Sequence, residues 1–340
     1  MSVLASQSSA SITKFYTIGE RLLAFNFIDE VAARIAEEFI GGMYFTPCLA
    51  RAARSIQCTV KVFHGVPPPL PSNCQSFEVP RGTCHTTGEG HFLDIDGSRI
   101  VVYPATSRLI CVWLGETAHA RHPVAIVNTF SYVLQAALRR CGLYVLHAAG
   151  VVEPASGVGF LVVGNSNSGK SSLTIRLASA GWHYLSDDML VLGEERGEIQ
   201  ARGLRRIFSV SAESLVNCHL SGLEAALGGT VNSDPNKRKL EPALTFPDSF
   251  VESCLPRVLL FPTLTGEAGS RVVKITSGEA MAQLIRQCPW ASYDTDTARD
   301  HLRVLGLMAK QSTPFLLHAG RNLIEDSTCA PRLLVTCLDK

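Results

Sequence analysis

The chain has 340 residues, room for one large or two ordinary domains, each with its own core. Hydrophobic residues make up 46% and charged residues 18%, which excludes an intrinsically disordered chain. A formal net charge of +1 excludes a general electrostatic pull toward nucleic acid or an acidic membrane.

In chain order, YTIGERLLAFNF is extended, and IDEVAARIAEEFI repeats its apolar residues at helical spacing. Ser55–His64 alternates as a strand does, and the proline-rich GVPPPLPSN after it is a connector. HFLDI and RIVVYP flank Asp96-Gly97, a hairpin signal, and RLICVWLG adds another strand. A helix is expected from about Val124 to Arg140, ending at Cys141-Gly142, where glycine can take the left-handed cap. The rhythm changes there. Residues 1–140 read as a strand-rich mixed α+β domain, a candidate for substrate or partner binding, and residues 141–340 as a second domain.

The second half opens with GFLVVG, a glycine loop, the helical SSLTIRLASA and the strand HYLS, which ends in Asp187-Asp188. Strand, loop, helix, strand is the grammar of an α/β nucleotide-binding core. Further on, PRVLLFPTL and SRVVKIT read as strands and GEAMAQLIRQ as a helix, with GGTVNSDPNKRK before them as a basic loop. The N-terminus has neither the charged lead nor the apolar region of a secretory signal. No stretch approaches the ~20 apolar residues of a membrane span. A cytoplasmic protein without membrane or nucleic-acid partners is the expectation, and self-association is compatible with the sequence. The eleven cysteines fall at irregular spacings in a long chain, as expected of reduced thiols acting as small hydrophobes.

Gly164-Asn165-Ser166-Asn167-Ser168-Gly169-Lys170-Ser171 fits G-x-x-x-x-G-K-[ST], and Ser172 follows it. Glycines at the two fixed positions let successive N–H groups turn inward around phosphate oxygens. Lys170 would put a point charge on the β- and γ-phosphates, Ser171 would offer its hydroxyl to Mg²⁺, and the following helix would present its N-terminus to the anion. Asp187 and Asp188 are separated from that loop by one short helix and one strand. Adjacent residues on an extended strand point oppositely, so one carboxylate can face a metal and the other an incoming hydroxyl. This suits phosphoryl transfer, which needs positioning, charge neutralisation and a group to take the acceptor's proton.

Three segments together resemble HPr kinase/phosphorylase and its relatives, including the kinases of lasso-peptide precursors. LHAAGVV precedes the strand, GNSNSGKSS forms the loop, and AGWHYLSDDMLVL is similar to the family's RGHRLIADD segment. The resemblance implies an α/β fold with a phosphoenolpyruvate-carboxykinase-like P-loop core. It further implies an ATP- and Mg²⁺-dependent serine kinase acting on a peptide or protein. Asp187 would then be the general base, Asp188 and Ser171 metal ligands, and His147 a residue touching the transferred phosphate. The second family signature, similar to LEIRGLG, is IQARGLRRI here, so Gln200 stands where the family's metal-binding glutamate is expected. That departure counts against phosphorylase activity.

Arg205 and Arg206 follow the core. Arg206, Lys237 and Arg238 are the candidates for contacts to phosphate or acceptor, against a reading as solvated basic residues. NKRK (Asn236–Lys239) lacks the aspartate of a guanine-specificity motif, which favours ATP. A small-molecule hydroxyl kinase, a non-catalytic nucleotide sensor and an ordinary P-loop ATPase are the alternatives. Cys84-His85 and His91 are too few for a zinc site.

Overall fold

A computed structural model describes residues 11–48, 55–79, 81–115, 123–211, 215, 223, 226–231, 234–288 and 294–339. The N-terminal stretch read for a signal lies largely outside them. The chain forms two compact units, Met1–Cys141 and Gly142–Lys340.

The first unit holds a nine-stranded sheet. Its strands are β1 (Ile12–Ile18), β2 (Arg21–Phe27), β3 (Thr46–Cys48), β4 (Cys58–His64), β5 (Gln75–Val79), β6 (Gly82–Thr87), β7 (Gly90–Ile95), β8 (Ser98–Val102) and β9 (Leu109–Leu114). The spatial order is β3-β1-β2-β4-β9-β8-β7-β6-β5, with β4 parallel to both β2 and β9. Helices α1 (Glu30–Ile40) and α2 (Pro123–Arg140) pack on β4. Asp29 caps α1 by accepting from the Ala32 amide at 2.7 Å, the satisfaction an orphan helix-end donor requires. The Asp96-Gly97 hairpin is tight: both residues have positive φ, 48° and 80°, as a two-residue primed turn demands.

The second unit is built on a mixed sheet. Its strands are β10 (Leu143–Val152), β11 (Gly159–Val163), β12 (His183–Ser186), β13 (Met189–Glu195), β14 (Glu198–Gly203), β18 (Ser253–Cys254), β19 (Pro256–Leu264), β20 (Arg271–Lys274) and β21 (Thr313–Ala319). A separate three-stranded sheet comprises β15 (Phe208–Ser211), β16 (Leu227–Val231) and β17 (Asp234–Leu240). The run read as a basic loop, GGTVNSDPNKRK, therefore contributes two paired strands. Its basic residues sit opposite β15, with Lys237 beside Ser211 and Arg238 beside Val210.

β11 runs parallel to β19, and β19 parallel to β21. Burial on both faces explains why GFLVV is continuously apolar. Phe160 and Val162 join one core with Leu173 and Leu177 of α3 (Lys170–Ser179). Leu161 and Val163 join the other with Ala280 and Leu284 of α4 (Ser277–Arg286) and Leu305 and Met308 of α5 (Thr295–Gln311). This is a helix–sheet–helix layering around one sheet. Among the described residues no helix is long and apolar enough to cross a membrane.

Candidate active site

β10 is shared by two partners along its length, and this arranges the chemistry. Its first half pairs β13, with His147 opposite Met189, and its second half pairs β12, with Gly150 opposite Ser186. Asp187-Asp188 joins β12 to β13 and so lies across β10 beside His147. A Cβ at Gly150 would approach Leu190 to 3.2 Å and Leu185 to 3.3 Å, so glycine lets the chain cross closely here.

The glycine-rich loop leaves the carboxyl end of β11 and enters α3. Asn167 and Gly169 carry positive φ, 64° and 90°; Asn tolerates the left-handed region and Gly169 serves as the helix N-cap. A Cβ on Gly164 would meet the Ser168 hydroxyl at 2.7 Å, so the turn closes only around hydrogen. Lys170 is buried, and its Nζ donates to the carbonyls of Gly164 at 2.8 Å and Asn165 at 2.9 Å. Burial pulls the ammonium below the ordinary lysine range, while Asp188 and Asp187 oppose that shift.

The loop borders a cavity of about 500 Å³ at the carboxyl ends of the parallel trio β11, β19 and β21, the usual ligand crevice of an α/β sheet. Ser166 to Ser172 line one side, with Asp188, Ser209 and Lys237. Pro262, Leu264, Leu317, Ala319 and Leu323 make the apolar side, and Arg321 stands among them.

The two aspartates differ sharply. Asp188 lines the cavity, and its oxygens are held by His147 Nε2 at 2.8 Å and Arg205 Nη1 at 3.2 Å. Burial pushes its carboxyl up, but the His147 bond and the charges of His147, Arg205 and Lys170 outweigh it and hold the group well below the carboxylate range. Asp187 is fully buried (0% exposed) and does not line the cavity. Its Oδ2 accepts from the Ser209 amide at 3.1 Å, and its Oδ1 has no hydrogen-bond partner among the described residues. Burial and the neighbouring Asp188 charge raise its carboxyl, against Arg205, the Ser171 hydroxyl and the Ser209 amide.

His147 is about a third exposed, 35% for its side chain; it touches Asp188 on one side and Gln287 on the other. Lys237 lines the cavity, whereas Arg238 donates to the Gly228 carbonyl at 2.8 Å. Arg206 is exposed and is not among the cavity-lining residues; its neighbour Arg205 reaches Asp188 and also donates to the Ser209 hydroxyl at 2.7 Å. Gln200 sits on β14 opposite Gly193, and it too is not among the cavity-lining residues. Sequence reasoning passed over Ser209, Gln287 and Arg321, which lie far along the chain and carry no motif.

No protein-family model matches the chain, and no curated protein does. Among solved structures, the chain is similar to the HPr(Ser) kinase/phosphatase from Coxiella burnetii, with 15% identity and a TM-score of 0.30. That similarity covers 57% of this chain and 94% of the other. A likeness this remote identifies no family.

Proposed function

We propose that the chain is a Mg-ATP-dependent kinase that transfers the γ-phosphate to a hydroxyl, with serine of a peptide or protein as the acceptor. One observation supports this above the others: the glycine loop, Ser171 and Asp188 line one cavity, with Lys170 in the loop and Asp187 directly behind. The loop amides and the α3 N-terminus suit phosphate oxygens, and Lys170 adds a charge where β- and γ-phosphates would lie. The apolar side, with Leu264 and Leu317, suits a nucleoside.

The residues fit a magnesium ion. Asp187 Oδ1 is buried and unpartnered, and Ser171's hydroxyl lies beside the same carboxylate. Such a hard oxygen set suits Mg²⁺, which takes one or two carboxylates along with phosphates and waters. Bound Mg-ATP would supply the phosphoryl group and neutralise charge on its oxygens.

We assign the carboxylates the reverse of the roles expected from the sequence. Asp187, enclosed beside Ser171, is the metal-side carboxylate. Asp188, on the cavity wall with His147, is the group that takes the acceptor's proton. A loose transition state needs little activation of the nucleophile, so a weakly basic but well-oriented carboxylate suffices. Arg205 steadies that carboxylate, and Lys237, which lines the same cavity, adds positive charge for the phosphates.

The test is incubation of the full chain with Mg²⁺ and γ-labelled ATP against serine-containing peptides and, separately, small polyols. Phosphoserine formed in a peptide is the expected result. Label only on polyols would replace the acceptor class. Tight ATP binding with no acceptor labelled would overturn the kinase reading in favour of a sensor.

A further inference from the structure

We propose that Gln287 is a positioning residue for transfer, clamping the His147 ring to the phosphate loop through Asn165. The inference deepens the kinase reading and rests on it.

Gln287 directly follows α4, a helix fixed at its start by a Thr276–Glu279 capping box and anchored in the core by Ala280 and Leu284. Its side chain is thus presented from a rigid element, as a positioning group needs. A glutamine amide has one accepting and one donating end. The donating end, Nε2, is committed to Asn165 Oδ1 at 2.8 Å. That leaves Oε1 facing His147 Nδ1, at 3.3 Å. The other ring nitrogen meets Asp188 Oδ1 at 2.8 Å.

With an acceptor at each nitrogen, a ring that carries N–H on both sides cannot swing about its Cβ–Cγ bond without losing a hydrogen bond. Asn165 also gives its backbone carbonyl to Lys170 Nζ at 2.9 Å. One amide therefore closes a path from Asp188 through His147 and Asn165 to Lys170. Both partners of Gln287 belong to the site and neither to its own helix. Errors of about 1 Å in the placement of reacting groups can cost on the order of 100-fold in rate. A clamp joining the proton-accepting side to the phosphate-holding side acts on that distance.

The experiment measures kcat and KM for Gln287→Leu, Gln287→Glu and His147→Ala, and for the double variant Gln287→Leu/His147→Ala. Gln287→Leu is expected to lower kcat about tenfold with acceptor KM changed less than about twofold. Its effect should shrink below about twofold when His147 is already alanine, because the two act as one unit. Gln287→Glu keeps an acceptor for the ring and lets Asn165 turn its amide to donate, so it should recover most of kcat. Independent, multiplying effects of Gln287→Leu and His147→Ala would overturn the clamp, as would an unchanged kcat.

A wild type that transfers no phosphate refutes the kinase reading instead, and the clamp is then read by side-chain ¹⁵N NMR. The His147 Nδ1 signal, assigned by its loss in His147→Ala, should move in Gln287→Leu and stay put in the exposed Arg286→Ala control. A signal unmoved in Gln287→Leu, with melting temperature unchanged, would overturn the clamp.

Discussion

Replacing Asp188 by asparagine separates catalysis from binding. The side chain is 29% exposed and is held by the His147 ring at 2.8 Å and the Arg205 guanidinium at 3.2 Å. Asparagine keeps the shape and one acceptor, but turns an amide donor toward one of those donors. With partial solvent screening, the stability loss is about 1–2 kcal/mol, or a few degrees in melting temperature for a unit this size. The catalytic loss is larger. Removing a positioned general base costs on the order of 10²–10⁴ in rate, which is about 3–5 kcal/mol of barrier at ~1.36 kcal/mol per decade. The assay is steady-state phosphate transfer to a serine peptide at saturating Mg²⁺, beside calorimetric titration with a non-hydrolysable ATP analogue. The expected outcome is a fall in kcat of at least about 100-fold with analogue affinity changed less than about tenfold. A kcat within threefold of wild type (about 0.7 kcal/mol) would refute the assignment. So would an affinity loss equal to the rate loss, since Asp188 would then only hold nucleotide.

Further outcomes follow from the same geometry. Asp187→Asn should raise the Mg²⁺ concentration for half-maximal activity, read from a magnesium titration, whereas Asp188→Asn should not. Arg205→Ala should lower kcat at least about tenfold and Arg206→Ala less than about threefold, because Arg205 is bonded to the Asp188 carboxylate and Arg206 is not among the cavity-lining residues. Gly164→Ala should weaken analogue binding about tenfold, since its methyl would displace Ser168 and deform the loop, while circular dichroism stays unchanged. Glu153 tests electrostatics away from the cavity. Burial pushes its carboxyl up, but the Ser156 and Ala155 bonds outweigh it and leave the group below the glutamate range. A depressed folded pKa stabilises above the unfolded value of about 4.3 and fades as pH falls through the folded one. Glu153→Gln should therefore cost about 1 kcal/mol at pH 7, with the difference from wild type vanishing in acid melts.

The parts legible in the sequence are those whose physics is local. GFLVV is apolar throughout because both its faces are buried, and Gly164 and Gly169 mark turns that side chains would obstruct. The helix at Glu30–Ile40 follows from apolar spacing and its Asp29 cap, and the helix at Lys170–Ser179 from the glycine that opens it. What depended on long-range pairing was hidden. The Asp234–Leu240 segment, with its proline, asparagine and basic residues, reads as a loop, and pairing with β15 and β16 makes it a strand. Helix Thr295–Gln311, with Gly306 inside it and no side-chain cap, went unread. Choosing between Arg205 and Arg206 depends on where β15 begins, which no local pattern encodes. Gln287 reaches Asn165 only because α4 packs against the sheet that carries the loop. The exchange of roles proposed for Asp187 and Asp188 has the same origin. Opposite facing was deducible from strand geometry, but which carboxylate is enclosed was not.

³¹P NMR of the full chain with ATP reads phosphoryl transfer itself. With Mg²⁺ and a serine peptide present, the γ-phosphate signal should fall as a phosphomonoester signal rises. That change should require the peptide and disappear in Lys170→Ala. Bound ATP that persists unchanged, or decays to free phosphate at a rate indifferent to the peptide, would contradict it.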